Sequence, residues 1–458
     1  MKKNLFLLLI TLSVVCVQAS ASVKIGELYY DLDSSTKTAM VCDNSSLSGD
    51  VVIPPSVTYQ GETYNVTSIG MQYGDMTSIT IPYSITSFKG GQETFSYCSG
   101  LTSIVWNVKS CDDFHEGYDL YHPSNNPFYY IRDQITSFKF GDSVDIIPAD
   151  LCYGMEKLTS ITIPNGVTDI GNDAFSGCTG LTSVTISNSG GIGHQAFEGC
   201  TGLTSVIISN SVTYIGYRAF EGCTGLTSVT IPNSVTSIGG NVFISCSRLI
   251  SVEWNAKACK DMLFYSDNYD PFYGIRAQIT SFTFGESVDT IPIFLCCDME
   301  KLTSITISNS VTYIGYRAFE GCTGLTSVTI PNSVTSIGYK AFYGCAGLTS
   351  VTIGNSVTSI GGSAFEGCTG LTSLTIPDGV TSIGEDAFRG CTGLTSATIG
   401  NSVTRIRRYA FCGCTGLTSI TIGNGVTSIG ENAFRGCTSL TSVVWNARNC
   451  SNFNEEYY

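Results

Sequence analysis

The chain has 458 residues, a formal net charge of −14 and only 13% charged residues. Nucleic acid and anionic lipid need a dense positive field, so this balance argues against both as partners. Length alone suggests about three domains, but a repeat that covers most of the chain overrides that expectation.

At the N-terminus, Lys2 and Lys3 precede an apolar run from Leu5 to Val17 and the small-x-small triplet Ala19-Ser20-Ala21. That is the pattern of an export leader over residues 1–21, cleaved after Ala21. Cys16 raises a lipid-anchored reading, but Val15 stands where such a signal wants a small residue. No later apolar run is long enough to cross a bilayer, so no membrane insertion is expected beyond the leader. Residues 22–75 hold strand-like pieces (Leu28–Leu32, Val51–Pro54, Val57–Gln60, Thr63–Ile69). They read as a β cap, since the end of a repeat stack must hide an apolar cross-section. An enzyme hidden in this segment is a weaker alternative, because it has no acid-base pair.

From Met76 to Tyr458 a unit led by Leu recurs, at Leu158, Leu181, Leu203, Leu226 and Leu249, then from Leu302 to Leu440. The period is 23 residues, with one step of 22. A fixed period of that size predicts a solenoid whose coils bury their apolar sides against each other. Counted from the Leu, positions 4 and 6 alternate with polar 3, 5 and 7, which predicts one parallel strand per coil. Positions 10–13 form a second short extended piece. Gly at 14 and Ala-Phe at 17 and 18 predict a short helical turn, ended by Gly at 20 and 23. Phe at position 18, from Phe175 to Phe434, predicts an aromatic spine.

Twenty cysteines in an exported chain would ordinarily mean disulfides. Here Cys98, Cys178, Cys200, Cys223, Cys246, Cys322, Cys345, Cys368, Cys391, Cys414 and Cys437 share one repeat position. An unbroken ladder gives no reason to pair in twos, so these are expected as small, reduced core residues. No Cys-x-x-Cys pair or adjacent His suggests a metal.

The Leu-x-x-Val-x-Ile strand followed by Ile-Gly-x-x-Ala-Phe-x-x-Cys resembles the 23-residue leucine-rich repeat of BspA-like bacterial surface proteins, the Treponema-type repeat. The resemblance implies a right-handed superhelix with a parallel sheet on its concave face. It also implies surface exposure and adhesion to host extracellular or bacterial surface proteins or glycans, without catalysis or cofactor. In commoner leucine-rich repeats Asn follows the strand by three positions. Here that slot holds Gly166, Ser234 or Ser333, and Asn165, Asn233 and Asn332 stand one place earlier. A buried Asn ladder is therefore not expected.

Two insertions, at about 107–134 and 255–278, open on Trp106-Asn107 and Trp254-Asn255 and close on Pro-Phe-Tyr-x-Ile-Arg (Pro127 to Arg132, Pro271 to Arg276). Each is followed by an atypical coil in which Cys152 or Cys296 replaces the spine Phe. Cys111–Cys152 and Cys259–Cys296 are the best disulfide candidates. A third opening, Trp445 to Cys450, is not followed by the closing phrase before Tyr458. The insertions carry His115, His122 and many aromatics. Tyr121, Tyr129, Tyr130, Tyr265, Tyr269 and Tyr273 are the candidate ligand contacts, because aromatics on loops of a rigid scaffold suit recognition. The competing reading folds them back as local core. Glu385, Arg408 and Glu431 share position 15 of consecutive coils and are expected to stack as an acid-base-acid ladder. No residues are nominated as catalytic or metal-binding. The function these features suggest is an exported recognition scaffold. An ice-binding or purely structural solenoid, prompted by the Ser/Thr rows, is the alternative.

Overall fold

The computed structural model describes residues 22–44, 47–111, 114, 125–187, 190–257, 259 and 270–451. The leader segment, Tyr121, Tyr265, Tyr269, His115 and His122 lie outside them.

Alternation makes the strands. In Ser160–Ile163, Ser183–Ile186 and Ser228–Ile231, Ser and Thr are exposed while the Val or Ile between them are buried. Consecutive coils pair these strands in parallel with no register slip: Ser160 faces Ser183, which faces Ser205. In-register pairing follows from the constant period, since a one-residue slip would turn every Ile outward. The second extended piece forms two-residue strands that stack separately, as in Asp169–Ile170, Tyr214–Ile215 and Ser336–Ile337. This is a parallel-strand repeat solenoid, as the sequence predicts.

In residues 22–75, strands form at Leu28–Asp33, Ser56–Tyr59 and Glu62–Ile69, near the expected pieces, while the strand expected at Val51–Pro54 lies earlier, at Leu47–Val52. Val23–Ile25, Leu28–Asp33 and Thr38–Val41 run antiparallel, and Thr38–Val41 then pairs in parallel with Glu62–Ile69. Leu47–Val52 pairs with Gly74–Ile81, which leads into the first coil strand, Ser103–Trp106.

The Ala-Phe turn is not helical. Helical hydrogen bonding among the described residues is confined to short 3-10 pieces at Gly91–Glu93, Tyr129–Gln134 and Arg276–Gln278. Instead, position 16 takes left-handed backbone angles in coil after coil: Asp173 (φ 54°), Arg218 (φ 57°), Lys340 (φ 55°) and Asn432 (φ 58°). Gly at position 20 does the same, as at Gly177 (φ 74°). The alternation divides the amides into two sets. Those of positions 17, 19 and 21 bond within the coil, as Ser176 N–H does to Asp173 O and Cys178 N–H to Phe175 O. Those of positions 16, 18 and 20 all point at the next coil. Asp173 donates to His194 O (3.0 Å), Phe175 to Ala196 O (2.8 Å) and Gly177 to Glu198 O (2.7 Å). The same bonds recur from Arg317, Phe319 and Gly321 to Tyr339, Ala341 and Tyr343. An ordinary parallel ladder bonds in both directions. This row donates in one direction only, toward the C-terminal end.

The interior is the aromatic spine. Phe175, Phe197, Phe220 and Phe243 stack with centroids 5.1–5.8 Å apart, and Phe319 through Phe434 repeat the arrangement at 5.1–5.4 Å. Phe128 and Phe272, from the closing phrases, extend it: Phe272 stacks on Phe243 at 5.7 Å and Phe128 on Phe95 at 5.3 Å. Where Cys152 and Cys296 replace the spine ring, the strands of the same coils carry extra rings. Phe138 and Phe140, and Phe282 and Phe284, fill the lost volume and meet the next spine Phe edge-on at 6.2 and 6.0 Å. Aromatic bulk moves from the turn to the strand while the core stays filled.

The ladder cysteines are free thiols. Each donates to a main-chain carbonyl of the preceding coil: Cys200 Sγ to Phe175 O (3.2 Å), Cys345 Sγ to Phe319 O (3.1 Å), Cys391 Sγ to Phe365 O (3.3 Å). Burial raises the thiols of Cys178, Cys200, Cys223, Cys345 and Cys368 above the ordinary range, to about 12 at Cys200 and Cys368. A thiol is the smallest apolar side chain that still offers a donor here. The expected insertion disulfides do not form. Cys152, Cys259 and Cys296 are free thiols; Cys259 Sγ donates to Val235 O at 3.4 Å, and Cys152 and Cys296 are committed to the spine position.

Candidate recognition surfaces

The solenoid face carries rows of threonine. Thr182 Oγ1 donates to Thr159 O (3.1 Å), Thr335 Oγ1 to Thr312 O (3.1 Å) and Thr395 Oγ1 to Thr372 O (2.9 Å). In these rows, at repeat positions 2 and 11, the hydroxyl protons are spent on the preceding coil, so they offer a partner only acceptors and methyls. Asn and Asp at position 8 form an exposed ladder of their own. Asn332 Oδ1 accepts the Asn355 amide (2.8 Å) and Asp378 Oδ1 the Asn401 amide (2.6 Å). The ion ladder forms at Arg408–Glu431, 3.7 Å apart and largely exposed, with Arg389 paired to Asp386 at 3.3 Å. Such pairs are worth about 0–1 kcal/mol each.

The closing phrases divide into buried and exposed residues. Phe128, Ile131, Phe272 and Ile275 are buried. Tyr130 is 53% exposed and Tyr273 38%. Tyr129 is half-buried with the Arg132 guanidinium 4.2 Å above its ring. The phrase thus anchors itself with Phe and Ile and turns tyrosines outward, so both readings of these aromatics hold for different members.

The phrases also solve a polar problem. The one-way row needs a donor for the first carbonyls of each new block, and Pro127 and Pro271 have no N–H to give. In the second module Arg276 supplies it. Its Nη1 reaches Phe294 O (3.1 Å), Leu295 O (3.2 Å) and Cys297 O (2.6 Å). Buried Asp270 holds the guanidinium by an Nε–Oδ2 contact of 2.5 Å. In the first module Asn126 stands where Asp270 does, and an amide can donate. Its Nδ2 bonds Asp150 O (2.6 Å) and Leu151 O (3.2 Å) directly. Gln134 and Gln278 close the coil behind. Gln134 donates to Cys98 O and Leu101 O (2.8 and 2.9 Å), Gln278 to Cys246 O and Leu249 O (2.6 and 2.9 Å). Sequence reasoning missed these capping roles. The signal available was an Asx before the Pro and a Gln two residues after the Arg in both copies.

A second surface was also missed. Tyr316 and Tyr339 stack at 5.7 Å, Phe294 meets Tyr316 edge-on at 5.2 Å, and Arg317 and Lys340 lie over rings at 4.5–5.6 Å. Tyr339 is 46% exposed. These residues share positions 15, 16 and 19 of adjacent coils, so a column-wise reading would have found them. Among the described residues no group of three His, Cys, Asp or Glu is placed to hold a metal ion, and no helix is long and apolar enough to cross a membrane. His194 is structural: its Nδ1 accepts the Tyr217 amide at 2.9 Å.

A family model described as BspA type leucine rich repeat region matches residues 124–250, 268–393 and 335–458, in six copies. Among solved structures, a leucine-rich repeat protein from Bacteroides ovatus is 26% identical with a TM-score of 0.51, covering 92% of this chain and 99% of that one. A leucine rich cell surface protein from Faecalibacterium prausnitzii is also 26% identical, with a TM-score of 0.36, covering 93% and 95%. Comparison with curated proteins gave no match.

Proposed function

This chain belongs to the BspA type leucine-rich repeat family, and on that premise we propose that it is an exported cell-surface recognition scaffold with an adhesin-like role. Its partners are host extracellular or bacterial surface proteins or glycans. The supporting observation is the placement of Tyr130 and Tyr273: each is exposed next to a buried anchor of its phrase, Ile131 for Tyr130 and Phe272 for Tyr273. A tyrosine held this way loses little further entropy on binding. Tyr129 and the insertion residues Tyr121, Tyr265 and Tyr269 belong to the same contact set. The threonine rows at positions 2 and 11, with their donors consumed, are a poorer source of specific contacts. Residues 22–75 serve as the cap of the stack, and the leader at residues 1–21 directs export.

The test is deletion of residues 115–124 and 260–269 with buried Phe114 and the closing phrases kept, followed by binding to whole bacterial cells and to extracellular-matrix proteins and glycans. Folding is checked by circular dichroism. Loss of binding by a folded variant supports the reading. Full binding by a folded variant lacking both segments would move recognition to the Ser/Thr face or to the Tyr316–Tyr339 column.

A further inference from the structure

The turns around the spine show how this chain treats its outward tyrosines. The Arg218 guanidinium lies 5.0 Å from the Tyr217 ring and pairs with Glu221 at 3.3 Å. Arg317 repeats this with Tyr316 (5.1 Å) and Glu320 (3.1 Å). Lys340 lies over Tyr343 at 4.5 Å and Arg408 over Tyr409 at 4.7 Å. Each of these rings carries a cation from the chain itself, and in the first two a carboxylate completes the seat.

Beside the first insertion the same kind of seat is built without its cation. Two residues past the spine Phe most coils have Gly, as at Gly177 and Gly222. Phe95 and Phe128 are followed there by Tyr97 and Tyr130, 56% and 53% exposed. Tyr97 stacks on half-buried Tyr73, with centroids 4.7 Å apart and planes 17° apart. Phe95 and Phe128 stack at 5.3 Å, yet Tyr97 and Tyr130 make no ring contact. The one-way row is interrupted at this step, where Arg132 Nη1 takes the Tyr129 carbonyl (2.5 Å) in place of the Tyr97 amide. The side of Tyr97 away from Tyr73 is thus free of a covering ring. Among the described residues no Lys or Arg lies over Tyr73, Tyr97 or Tyr130. Arg132 belongs to Tyr129, whose ring it covers at 4.2 Å, and its stem lies against Gly154 on the next coil. Asp43 and Glu93 are exposed, and neither has an ion-pair partner among the described residues. Burial, the Tyr97 ring and the charges of Asp43 and Glu93 together push the Tyr73 hydroxyl above its ordinary range.

We propose that Tyr73, Tyr97 and Tyr130 form a docking site for a basic polypeptide segment. One guanidinium or ammonium of the partner seats on the open side of Tyr97, beside Tyr130, and its neighbours meet Asp43 and Glu93. A cation on a tyrosine face is attracted by the ring quadrupole, and more strongly once water is displaced. Arginine suits the place best, because its plane can lie flat on a ring while its edge meets a carboxylate. The net charge of −14 favours such a partner and repels an acidic one. The proposal rests on the reading of Tyr130 as a contact residue, and adds two rings outside the insertions and the charge of the partner.

The experiment uses the full chain and a labelled peptide in which arginine alternates with glycine, read by fluorescence anisotropy. The same peptide with glutamine for arginine is the neutral control. Saturable binding of the arginine peptide alone is expected, and its absence overturns the proposal. Tyr97→Leu removes the ring, keeps every charge and should weaken binding about fivefold or more. Equal binding by Y97L, folded by circular dichroism, overturns the proposal. A second comparison needs no change in any ring. Asp43→Asn with Glu93→Gln should weaken binding more than Glu286→Gln with Glu300→Gln, an equal loss of charge at exposed residues far along the chain. Equal effects of the two pairs would assign binding to overall charge and overturn the proposal. The chain lacking residues 115–124 and 260–269 keeps all three tyrosines and should bind the peptide as the parent does, whatever its behaviour on cells. Loss of peptide binding by that folded variant would place the peptide on the insertions, overturning this site while leaving the insertions as the recognition surface.

Discussion

Replacing Arg276 by Met tests whether the closing phrase is a polar cap. The substitution keeps most of the side-chain length but removes the charge. It leaves the Asp270 carboxylate, 5% exposed, without its guanidinium, and takes the described donor from Leu295 O and Cys297 O. Breaking a buried pair from one side costs about 3–5 kcal/mol. The double variant D270N/R276M should recover much of that. An Asn at 270 has no charge to strand, and by analogy with Asn126 it can donate to Leu295 O. Only Cys297 O would then lack its donor, a deficit of about 1–3 kcal/mol. Because solenoid coils couple mainly to their neighbours, the assay should be local as well as global. Urea unfolding gives the overall change, and hydrogen exchange at the Phe294 and Cys296 amides reports the coil itself. A double variant no more stable than R276M, or an R276M variant within about 0.5 kcal/mol of the parent, would refute the argument.

Phe342→Ala, between rings 5.1 Å away on either side, should cost about 3–5 kcal/mol in urea unfolding, and a loss below about 1 kcal/mol would count against the spine. The buried ladder thiols should resist a thiol reagent in the native protein and react fully in denaturant, since they are shut away from solvent; rapid native labelling of Cys345, whose thiol burial also holds protonated, would contradict this. Asp173 is pushed up to about 7 by burial and by the carboxylates of Asp150 and Glu198. The native state therefore binds its proton more tightly than the unfolded chain, so this residue lowers stability as pH rises from about 4 through 7. Asp173→Asn should be the more stable protein at pH 8, by about 1 kcal/mol once partial exposure is allowed for, and should match the parent near pH 4; urea midpoints at the two pH values decide it.

The strands, the spine and the thiol ladder were legible because each depends on one residue type returning at a fixed interval. The Ala-Phe turn misled because Ala favours helix and nothing in a single coil opposes it. Reading down position 16 would have helped. Asp173, Gln195, Arg218, Asn241, Lys340, Ser363 and Asn432 are all left-handed and none is β-branched, as that conformation requires. The disulfide expectation failed although the register already set Cys152 and Cys296 at the spine position, because a side chain there is fully buried within the stack and not turned toward the insertion. The insertions looked like contact loops because they break the repeat. Half of their shared phrase turned out to serve the break itself, and only side-chain geometry separates Tyr273, which faces outward, from Arg276, which faces three carbonyls.

A row in which every coil donates forward and accepts from behind is indifferent to the number of coils. Copying or losing one whole unit adds or removes equal numbers of donors and acceptors, so a recombination slip between near-identical units such as those led by Leu325 and Leu371 strands no polar group. Length can therefore drift in steps of a full unit at little cost in stability. The interruptions cannot drift this way. A slip that kept Pro271 but lost Arg276 would leave bare carbonyls in the interior, so each module must be inherited whole, and the modules fix the places between which the stack is free to grow or shrink.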